Sequence, residues 1–157
     1  MINILTNIAI LIGAFLGMEC VAWLAHKYIM HGLGWFLHKD HHQKEIEGFF
    51  EKNDYFFLIF AIPGILCLLF GNFYNNPALI MVGTGITLYG ATYFLVHDIL
   101  IHQRFKVFRN FDSVYLRAIR RAHKMHHKHL TKHDGESFGM LWVPIKYFKE
   151  AMKFSQK

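Results

Sequence analysis

The sequence predicts an all-α fold, a bundle of helices embedded in a membrane. Its 157 residues suit one domain, and 54% of them are hydrophobic, which is high for a soluble domain of this size. Three long apolar runs explain the composition, since about 20 helical residues cross a hydrocarbon core of roughly 30 Å. The alternative is a soluble bundle that buries the same helices. We therefore expect one membrane-bound domain over residues 1–157, with spans at about 4–26, 55–73 and 77–97.

The distribution of positive charge orients these spans. Lysine and arginine are absent from residues 1–26 and 53–103. By the positive-inside rule, residues 27–54 and 97–157 face the cytoplasm, whereas the N-terminus and the turn at 71–76 face outward. The net charge of +6 could indicate nucleic acid binding. Because the basic residues follow the spans, we expect contact with anionic lipid headgroups or an acidic electron-donor protein, and no nucleic acid.

The first half of the chain carries clear signals for helix ends. The first helix should run from about residue 4 to 30 and stop at the glycines of residues 32–34. A short second helix should carry the histidines of residues 38–42 and end near Gly48. Asn53-Asp54 is typical of a helix N-cap and should open the second span. Pro63 predicts a kink or a break within that span.

The second half begins with Pro77, which suits the first turn of the third span. Asp112-Ser113 should cap a helix from Val114 to about Lys128. The apolar stretch 138–148 contains a proline and is too short to span, so we interpret it as an interfacial or re-entrant segment. Three glycines should give the third span a stripe of small residues for close packing, namely Gly83, Gly85 and Gly90.

Ten of the twelve histidines form two copies of one pattern, a pair spaced by five residues followed by a trio. Neutral imidazole is a common ligand for iron, zinc and copper, and ten imidazoles exceed the needs of one ion. Both copies follow an apolar run, so the predicted cap on the cytoplasmic side carries a histidine-rich site for two metal ions. The predicted ligands are His26, His31, His38, His41 and His42 in the first set, and His97, His102, His123, His126 and His127 in the second.

The spacing within each set has a geometric meaning. Helix positions i, i+3 and i+4 share a face, so each trio points one way, and its last two members, about 100° apart, can reach two neighbouring ions. The pairs His26/His31 and His97/His102 lie about 140° apart on an ideal α-helix and converge only if that helix ends or distorts. Gly32 supplies an ending for the first pair. The second pair has no nearby glycine or proline.

An all-imidazole ligand shell is neutral, so nearby carboxylates should help to compensate the metal charge. Asp98 adjoins His97, and Asp40 lies within the first trio. Glu19 precedes His26 by two helical turns, and an acid within a membrane span is a functional candidate. A plain solvated role for Asp40 and an interhelical hydrogen bond for Glu19 are the alternatives. The HExxH zinc motif and the ExxH pairs of carboxylate-bridged di-iron bundles are both absent from the sequence.

Several longer motifs surround the histidines. They are His26-Lys-Tyr-Ile-Met-His31-Gly, His38-x2-His-His42, Asn53-Asp54, Phe94-Leu-Val-His97-Asp98-Ile-Leu-Ile-His102-Gln103-Arg104-Phe105, Tyr115-Leu116-Arg117, Ala122-His123-x2-His126-His127 and Ser137-Phe138-Gly139. Together they resemble the membrane-bound, histidine-rich di-iron oxygenases of the fatty acid hydroxylase superfamily, and within it the beta-carotene 3-hydroxylase branch. The histidine boxes indicate the superfamily, and the His97–Arg104 block with Ser137-Phe138-Gly139 indicates carotenoid hydroxylases.

The resemblance implies O2-dependent hydroxylation of carotenoids at carbon 3 of the β-ionone ring, from β-carotene to β-cryptoxanthin to zeaxanthin. It implies two iron ions and two external electrons from a ferredoxin-like donor, with one oxygen atom entering the substrate and the other forming water. Zinc can replace iron in purified protein, because the Irving–Williams order does not favour Fe²⁺. The carotenoid should enter from the bilayer between helices, along a slot that could be lined by Trp23, Tyr89, Tyr93 and Phe94.

Three other functions are open at this point. A sterol or fatty-acyl hydroxylase, a desaturase or a carotenoid ketolase would use the same chemistry, although desaturases typically have three boxes in chains about twice as long. A membrane metal-binding or transport protein would place ligands near mid-membrane rather than at one edge. A haem-binding bundle would use single histidines on facing helices and needs no trios.

Overall fold

The predicted all-α class is confirmed by the computed structural model, which describes residues 3–43, 48–105, 107–108 and 110–155. Helices α1 and α4 each continue into a π-helical stretch, at Ala25–Leu33 and Phe94–Ile101 respectively. The helices are α1 Ile4–Leu24, α2 Trp35–His42, α3 Asp54–Phe73, α4 Pro77–Tyr93, α5 Val114–His127 and α6 Ile145–Ser155.

The two π-helical stretches coincide with the two histidine pairs spaced by five residues. A π turn is closed by a hydrogen bond between residues i and i+5, so it stacks those two residues on one face. The amide of His102 accordingly donates to the carbonyl of His97 at 2.9 Å. In the first stretch Gly34 donates to Ile29 at 2.7 Å, and Gly32 leaves helical geometry at φ −111°, ψ −116°. The required distortion is therefore present in both copies, including the one that has no glycine or proline.

Three helices within the described residues are long and apolar enough to cross a membrane, at 4–33, 54–73 and 77–101. At most 22% of the most apolar window of any of them is buried inside the protein. Leaving so much apolar surface in water would forfeit about 25 cal/mol per Å². These helices therefore need an apolar solvent around them, and the chain is membrane-associated.

Helix α4 packs against both α1 and α3, and two of the three predicted glycines make the close contacts. A Cβ on Gly83 would lie 2.9 Å from the carbonyl oxygen of Gly64, and one on Gly85 would lie 2.6 Å from the carbonyl oxygen of Leu11. The prediction for Gly90 was wrong, because a Cβ there would meet nothing within 4 Å. Gly90 instead borders a large cavity.

The start of α3 corrects another expectation. Helix α3 begins at Asp54, as predicted, but the side chain of Asn53 makes no capping hydrogen bond and contacts a histidine instead. The helix also continues through Pro63. Helix α2 ends at His42, before the expected Gly48, with Gln43 extended; the intervening residues 44–47 lie outside the described residues.

Helices α5 and α6 form a cap over one end of the bundle. Ser113 caps α5 by accepting a hydrogen bond from the amide of Leu116, as expected. The two helices pack through a buried core that includes Ile119, Tyr147 and Ala151. The apolar stretch 138–148 is not one segment, since residues 138–144 are non-helical and α6 begins after the proline. This arrangement brings α5 and the loop that follows it against the π-helical ends of α1 and α4.

Candidate metal centre

The histidines converge into two groups whose ring nitrogens lie within 4.8 Å of one another in each group. Each sequence set supplies most of one group and one member of the other, because each trio divides between the two groups. His41 leaves the first set, and His126 leaves the second. The first group comprises His26, His31, His38, His42 and His126, and the second comprises His41, His97, His102 and His123.

His127, the remaining candidate ligand, lies beside both groups and belongs to neither. Its ring centroid is 4.4 Å from that of His123 and 4.6 Å from that of His42, on which it stacks. Its Nε2 is buried and has no hydrogen-bond partner among the described residues. Burial, followed by the neighbouring rings of His102 and His42, lowers the pKa of His127 far below its usual range. A neutral imidazole with an unused nitrogen therefore borders the second group.

Backbone carbonyls fix the tautomers of four histidines in the first group. A carbonyl oxygen only accepts hydrogen bonds, so each facing Nδ1 must carry the proton, and each Nε2 presents a lone pair. All four carbonyls come from one loop after α5, residues 129–138. The pairs are His26 with Phe138 at 2.9 Å, His31 with Lys132 at 3.3 Å, His42 with His129 at 2.9 Å, and His126 with Glu136 at 2.9 Å.

The Nε2 atoms of this group face one another at hydrogen-bond distance. They are 3.1 Å apart between His26 and His38, and 3.3 Å apart between His31 and His126. Within the pair His31 and His126 neither Nε2 carries a proton, so the lone pairs repel unless a cation lies between them. Protonation is disfavoured because burial lowers the pKa of His126 to about 3 and that of His42 to about 4. The first group thus fits a metal ion, which would take up the converging lone pairs.

The ring nitrogens of the second group also converge, but the groups that accept hydrogen bonds from these histidines are different. The Nε2 atoms of His102 and His123 are 2.7 Å apart, and burial lowers the pKa of His102 to about 3. The Nδ1 of His41 donates to a carboxylate oxygen of Glu51 at 2.7 Å, while its Nε2 is buried and has no partner among the described residues. Asp98 approaches the Nδ1 of His97 at 3.3 Å. This donor set also fits a metal ion.

Glu51 and Asn53 are functional candidates that sequence reasoning missed. Asn53 accepts from the Nδ1 of His38 at 2.7 Å, and Glu51 supports His41. Asp40 holds their segment against α2 by accepting from the amide of Lys52 at 2.5 Å. Burial raises the pKa of Glu51, which the neighbouring Arg104 opposes. The Asn53-Asp54 motif was the available signal, but it indicated a helix cap rather than a histidine partner.

Arg104 joins three carboxylates beside the second group. Its guanidinium donates to Asp98 at 2.7 Å and to Asp54 at 2.9 Å, and it lies 3.8 Å from Glu51. Burial alone would lower the pKa of Arg104, but the hydrogen bonds to Asp54 and Asp98 raise it above its ordinary value. Asp98, predicted from its place beside His97, is therefore held chiefly by Arg104.

Glu19 hydrogen-bonds to none of the described histidines. It instead makes the interhelical hydrogen bond that was the alternative interpretation, since its partner Tyr89 lies on α4. One carboxylate oxygen accepts from the amides of residues 140, 141 and 142 at 2.9–3.0 Å. The other accepts from the hydroxyl of Tyr89 at 2.8 Å. Glu19 thus anchors the loop after α5 to the first membrane helix. Its nearest link to a histidine runs through that loop, because the carbonyl of Phe138 supports His26.

A cavity of about 880 Å³ lies between α1, α3 and α4 and reaches histidines of both groups. This volume is near the top of the roughly 300–1,000 Å³ range of small-molecule sites. Lining residues of α3, including Phe57 and Leu58, are about half exposed, so the cavity communicates with the outer face of the bundle. The residues at its inner end are His26, His97, His123, Asp98 and Arg104.

Three of the four aromatic residues predicted to line a substrate slot do line this cavity, namely Tyr89, Tyr93 and Phe94. Trp23 does not. Its ring is 4.8 Å from the ammonium of Lys27 and is partly exposed, which is typical of a residue at the membrane–water boundary. His133, outside both sets, is exposed.

The fold and the site define a class, that of helical membrane proteins with two adjacent histidine groups able to hold metal ions. The chain belongs to the fatty acid hydroxylase family, whose pattern matches residues 11–147. It is 43% identical over 138 residues to the beta-carotene hydroxylase of Pantoea ananas, covering 88% of this chain and 78% of that protein.

Two further relatives carry related names. The beta-carotene hydroxylase of a Paracoccus species is 36% identical over 153 residues, which cover 96% of this chain and 93% of that protein. Beta-carotene hydroxylase 2, chloroplastic, from Capsicum annuum is 41% identical over 139 residues, covering 87% of this chain but only 44% of the longer plant protein. No solved structure matches the chain.

Proposed function

We propose that this protein hydroxylates carbon 3 of the β-ionone ring of carotenoids, converting β-carotene first to β-cryptoxanthin and then to zeaxanthin. The observation that carries the proposal is the apolar cavity between membrane helices, whose lining includes His26, His97 and His123. A long apolar substrate can therefore lie among the helices with one end at the metal centre. The relatives that cover most of this chain's length are named for the same activity.

We propose that two iron ions occupy the histidine groups. The first would be held by His26, His31, His38, His42 and His126, and the second by His41, His97, His102 and His123, with His127 beside it. When bound, such a centre would supply the redox chemistry that O2 activation requires and that amino acid side chains lack. The electrons would come from a ferredoxin-like donor.

The chain's own residues contribute position and environment. In seven of the ten candidate ligands, Nδ1 faces a carbonyl, amide or carboxylate oxygen, which holds the ring so that Nε2 faces the centre. Aromatic side chains such as Tyr93 and Phe94 make the approach apolar and exclude water from the reacting end of the substrate. Arg104 neutralises part of the negative charge of Asp54 and Asp98 at the inner end of the cavity.

The orientation in the membrane is part of the proposal, as is the treatment of residues 1–157 as a single domain. The positive-inside rule favours an outward N-terminus and a cytoplasmic metal centre and C-terminus. The fold is compatible with this orientation, because the turn after α3 and the histidine groups lie at opposite ends of the bundle. Reporter fusions to the N-terminus and to the 71–76 turn should both report an outward location.

Expression in a host that accumulates β-carotene, followed by pigment chromatography, tests the activity. We expect monohydroxylated and then dihydroxylated products. Unchanged β-carotene, with iron, O2 and reductant supplied and the protein present in membranes, would contradict the proposal. A sterol or acyl product would instead indicate a sibling enzyme of the superfamily. Purified protein should hold about two metal ions per chain at nitrogen distances near 2.0–2.3 Å.

A further inference from the structure

The two histidine groups differ in the chemistry of the atoms that accept hydrogen bonds from their Nδ1 nitrogens. We propose that this difference makes the two metal positions electronically unequal, with the second position stabilising the higher charge state, and that Glu51 is the positioning residue that sets the difference. The inference rests on the proposed two-metal function.

The first group is supported only by neutral acceptors. Four of its histidines donate to backbone carbonyls of the loop after α5, and the fifth, His38, donates to the side-chain oxygen of Asn53 at 2.7 Å. A neutral acceptor fixes the tautomer and the ring orientation but adds no formal charge. The charge of a metal ion held here would therefore be balanced only by exogenous anionic ligands, because the imidazoles and their acceptors are neutral.

The second group is supported by carboxylates. Glu51 accepts from the Nδ1 of His41 at 2.7 Å, and Asp98 lies 3.3 Å from the Nδ1 of His97. Arg104 bridges these two carboxylates and Asp54, so three negative charges surround one positive charge when all are ionised. The His41 side chain is 5% exposed and that of Glu51 is 24% exposed, so water screens this contact weakly.

A carboxylate that accepts from Nδ1 makes the imidazole a stronger electron donor through Nε2, and removing such a partner typically weakens metal binding by about 10–100-fold. The benefit is larger for an ion of higher charge. Although the first group has one more histidine within ligand distance, that extra imidazole is neutral. Two of the cavity-lining histidines, His97 and His123, belong to the second group, so the electron-rich position borders the cavity.

Two isosteric substitutions test the role of charge without removing a hydrogen-bond acceptor. Glu51→Gln keeps an oxygen for His41 but removes the negative charge from the second group. Asn53→Asp adds a negative charge to the acceptor of His38 in the first group. The double variant Glu51→Gln/Asn53→Asp moves the negative charge from the second group to the first. Co²⁺ is titrated into each protein in competition with a chelator, and binding is monitored by the visible absorption of bound Co²⁺. The titration gives two stepwise affinities for each protein.

We expect Glu51→Gln to weaken one Co²⁺ step by about 10–100-fold and to change the other by less than about threefold. Asn53→Asp should strengthen the step that Glu51→Gln leaves unchanged. A Glu51→Gln protein that binds both ions as the parent does, or that loses both equally, would overturn the inference. The second result would indicate a general effect on folding rather than on one site.

The iron-loaded proteins provide an independent readout. In a redox titration followed by Mössbauer spectroscopy, the parent should reduce one iron before the other. Glu51→Gln should narrow the gap between the two potentials, and the double variant should narrow it further or reverse the order. An unchanged gap in the double variant would contradict the inference. If the parent nevertheless binds two ions and hydroxylates β-carotene, the unchanged gap overturns only this inference and leaves the proposed function intact. A parent that binds no metal or forms no product would overturn the proposed function itself.

Discussion

At the residue scale, the organising feature is how each candidate ligand uses its two ring nitrogens. Seven of the ten place Nδ1 near an acceptor, and their Nε2 atoms point into one of two clusters. Burial keeps the rings neutral, as the lowered pKa values of His38 and His126 show. A buried neutral imidazole with a free lone pair is an arrangement that a metal ion stabilises.

Replacement of a trio member should abolish activity, because no other side chain can supply the lost nitrogen. We expect His42→Ala and His127→Ala to lower carotenoid hydroxylation to background, measured by pigment chromatography with protein levels matched. His127 belongs to neither group, but its ring contacts both of them and its buried Nε2 has no partner among the described residues. His133→Ala is the control, since that side chain is exposed and lies outside both histidine sets of the sequence. If His133→Ala were as inactive as His42→Ala, the boundary of the site would be wrong.

Asp98 should have an intermediate effect. Its carboxylate holds Arg104 at 2.7 Å and lies near His97, so Asp98→Ala should lower iron affinity or activity by about 10–100-fold. Metal content by mass spectrometry and turnover in the same preparation measure the effect. Asp112→Ala is a matched control, because Asp112 pairs with Arg117 at the surface, where such pairs contribute about 0–1 kcal/mol. Wild-type turnover and iron content in Asp98→Ala would show that its charge plays no part.

The histidine positions could be predicted from sequence because their spacing repeats, whereas their partners could not. Glu51 lies ten residues after the histidine that it supports, on a segment between two helices, and no periodic pattern joins them. Asn53 occupies a helix N-cap position, so local rules assigned its side chain to the backbone. In both cases a tertiary contact replaced the local one.

At the element scale, the two π-helical stretches bring together the histidine pairs that are spaced by five residues. Residues five apart diverge on an α-helix, so the pairs His26/His31 and His97/His102 required a distortion. Gly32 predicted one of them. The other distortion lies in residues 94–101, which are all apolar or histidine apart from Asp98. Its i to i+5 hydrogen bonding depends on several residues together, so α-helical periodicity in the sequence does not reveal it.

Glu19 links two elements, and its loss should weaken one metal position more than the other. Glu19→Ala leaves three loop amides without their acceptor, two of them partly buried and the third, that of Trp142, exposed. A buried donor left unsatisfied costs about 1–3 kcal/mol, whereas water can replace the acceptor of the exposed one. The loop then holds the carbonyl of Phe138 less firmly against His26, so we expect a lower melting temperature and selective loss of metal from the first group. Thermal unfolding and metal content per chain measure both effects.

Glu19→Gln is the matched control for that prediction. The amide keeps an oxygen for the loop amides and changes only the contact with Tyr89, whose hydroxyl can rotate to accept from the new NH2 group. We therefore expect metal content close to that of the parent. Retention of both metal ions and of the parent melting temperature by Glu19→Ala would show that the anchoring contact does not support the site.

At the scale of the whole molecule, the membrane bundle and the cap of α5 and α6 contribute different parts of the site. The bundle supplies an apolar cavity, and the cap supplies α5 and the carbonyl loop, which complete both histidine groups. The sequence predicted the three spans from their length and lack of charge. It also predicted a slot between the helices and most of the aromatic residues that line it. It did not predict which glycine leaves open space, because whether a small residue packs or leaves space depends on the neighbouring helix. Gly83 and Gly85 pack closely, whereas Gly90, on the same helix, leaves space.

The open space at Gly90 gives a test of the cavity as the substrate site. Gly90 borders the cavity, and a Cβ there would meet nothing within 4 Å, so a leucine can be accommodated only by occupying cavity volume. We expect Gly90→Leu to keep its metal content but to lower β-carotene turnover by roughly 100-fold, since a displacement of about 1 Å at the reacting carbon has that effect. Turnover of a short substrate such as β-ionone should fall by a smaller factor in the same variant.

Gly13→Leu is the control for this prediction, because that glycine also has open space around it but is exposed on α1 and does not border the cavity. It should turn over β-carotene at the parent rate, which separates an effect on the cavity from an effect of the larger side chain on membrane insertion. Parallel pigment assays and metal analysis on the two variants decide the question. Hydroxylation of β-carotene by Gly90→Leu at the parent rate would mean that the substrate reaches the histidines by a different route.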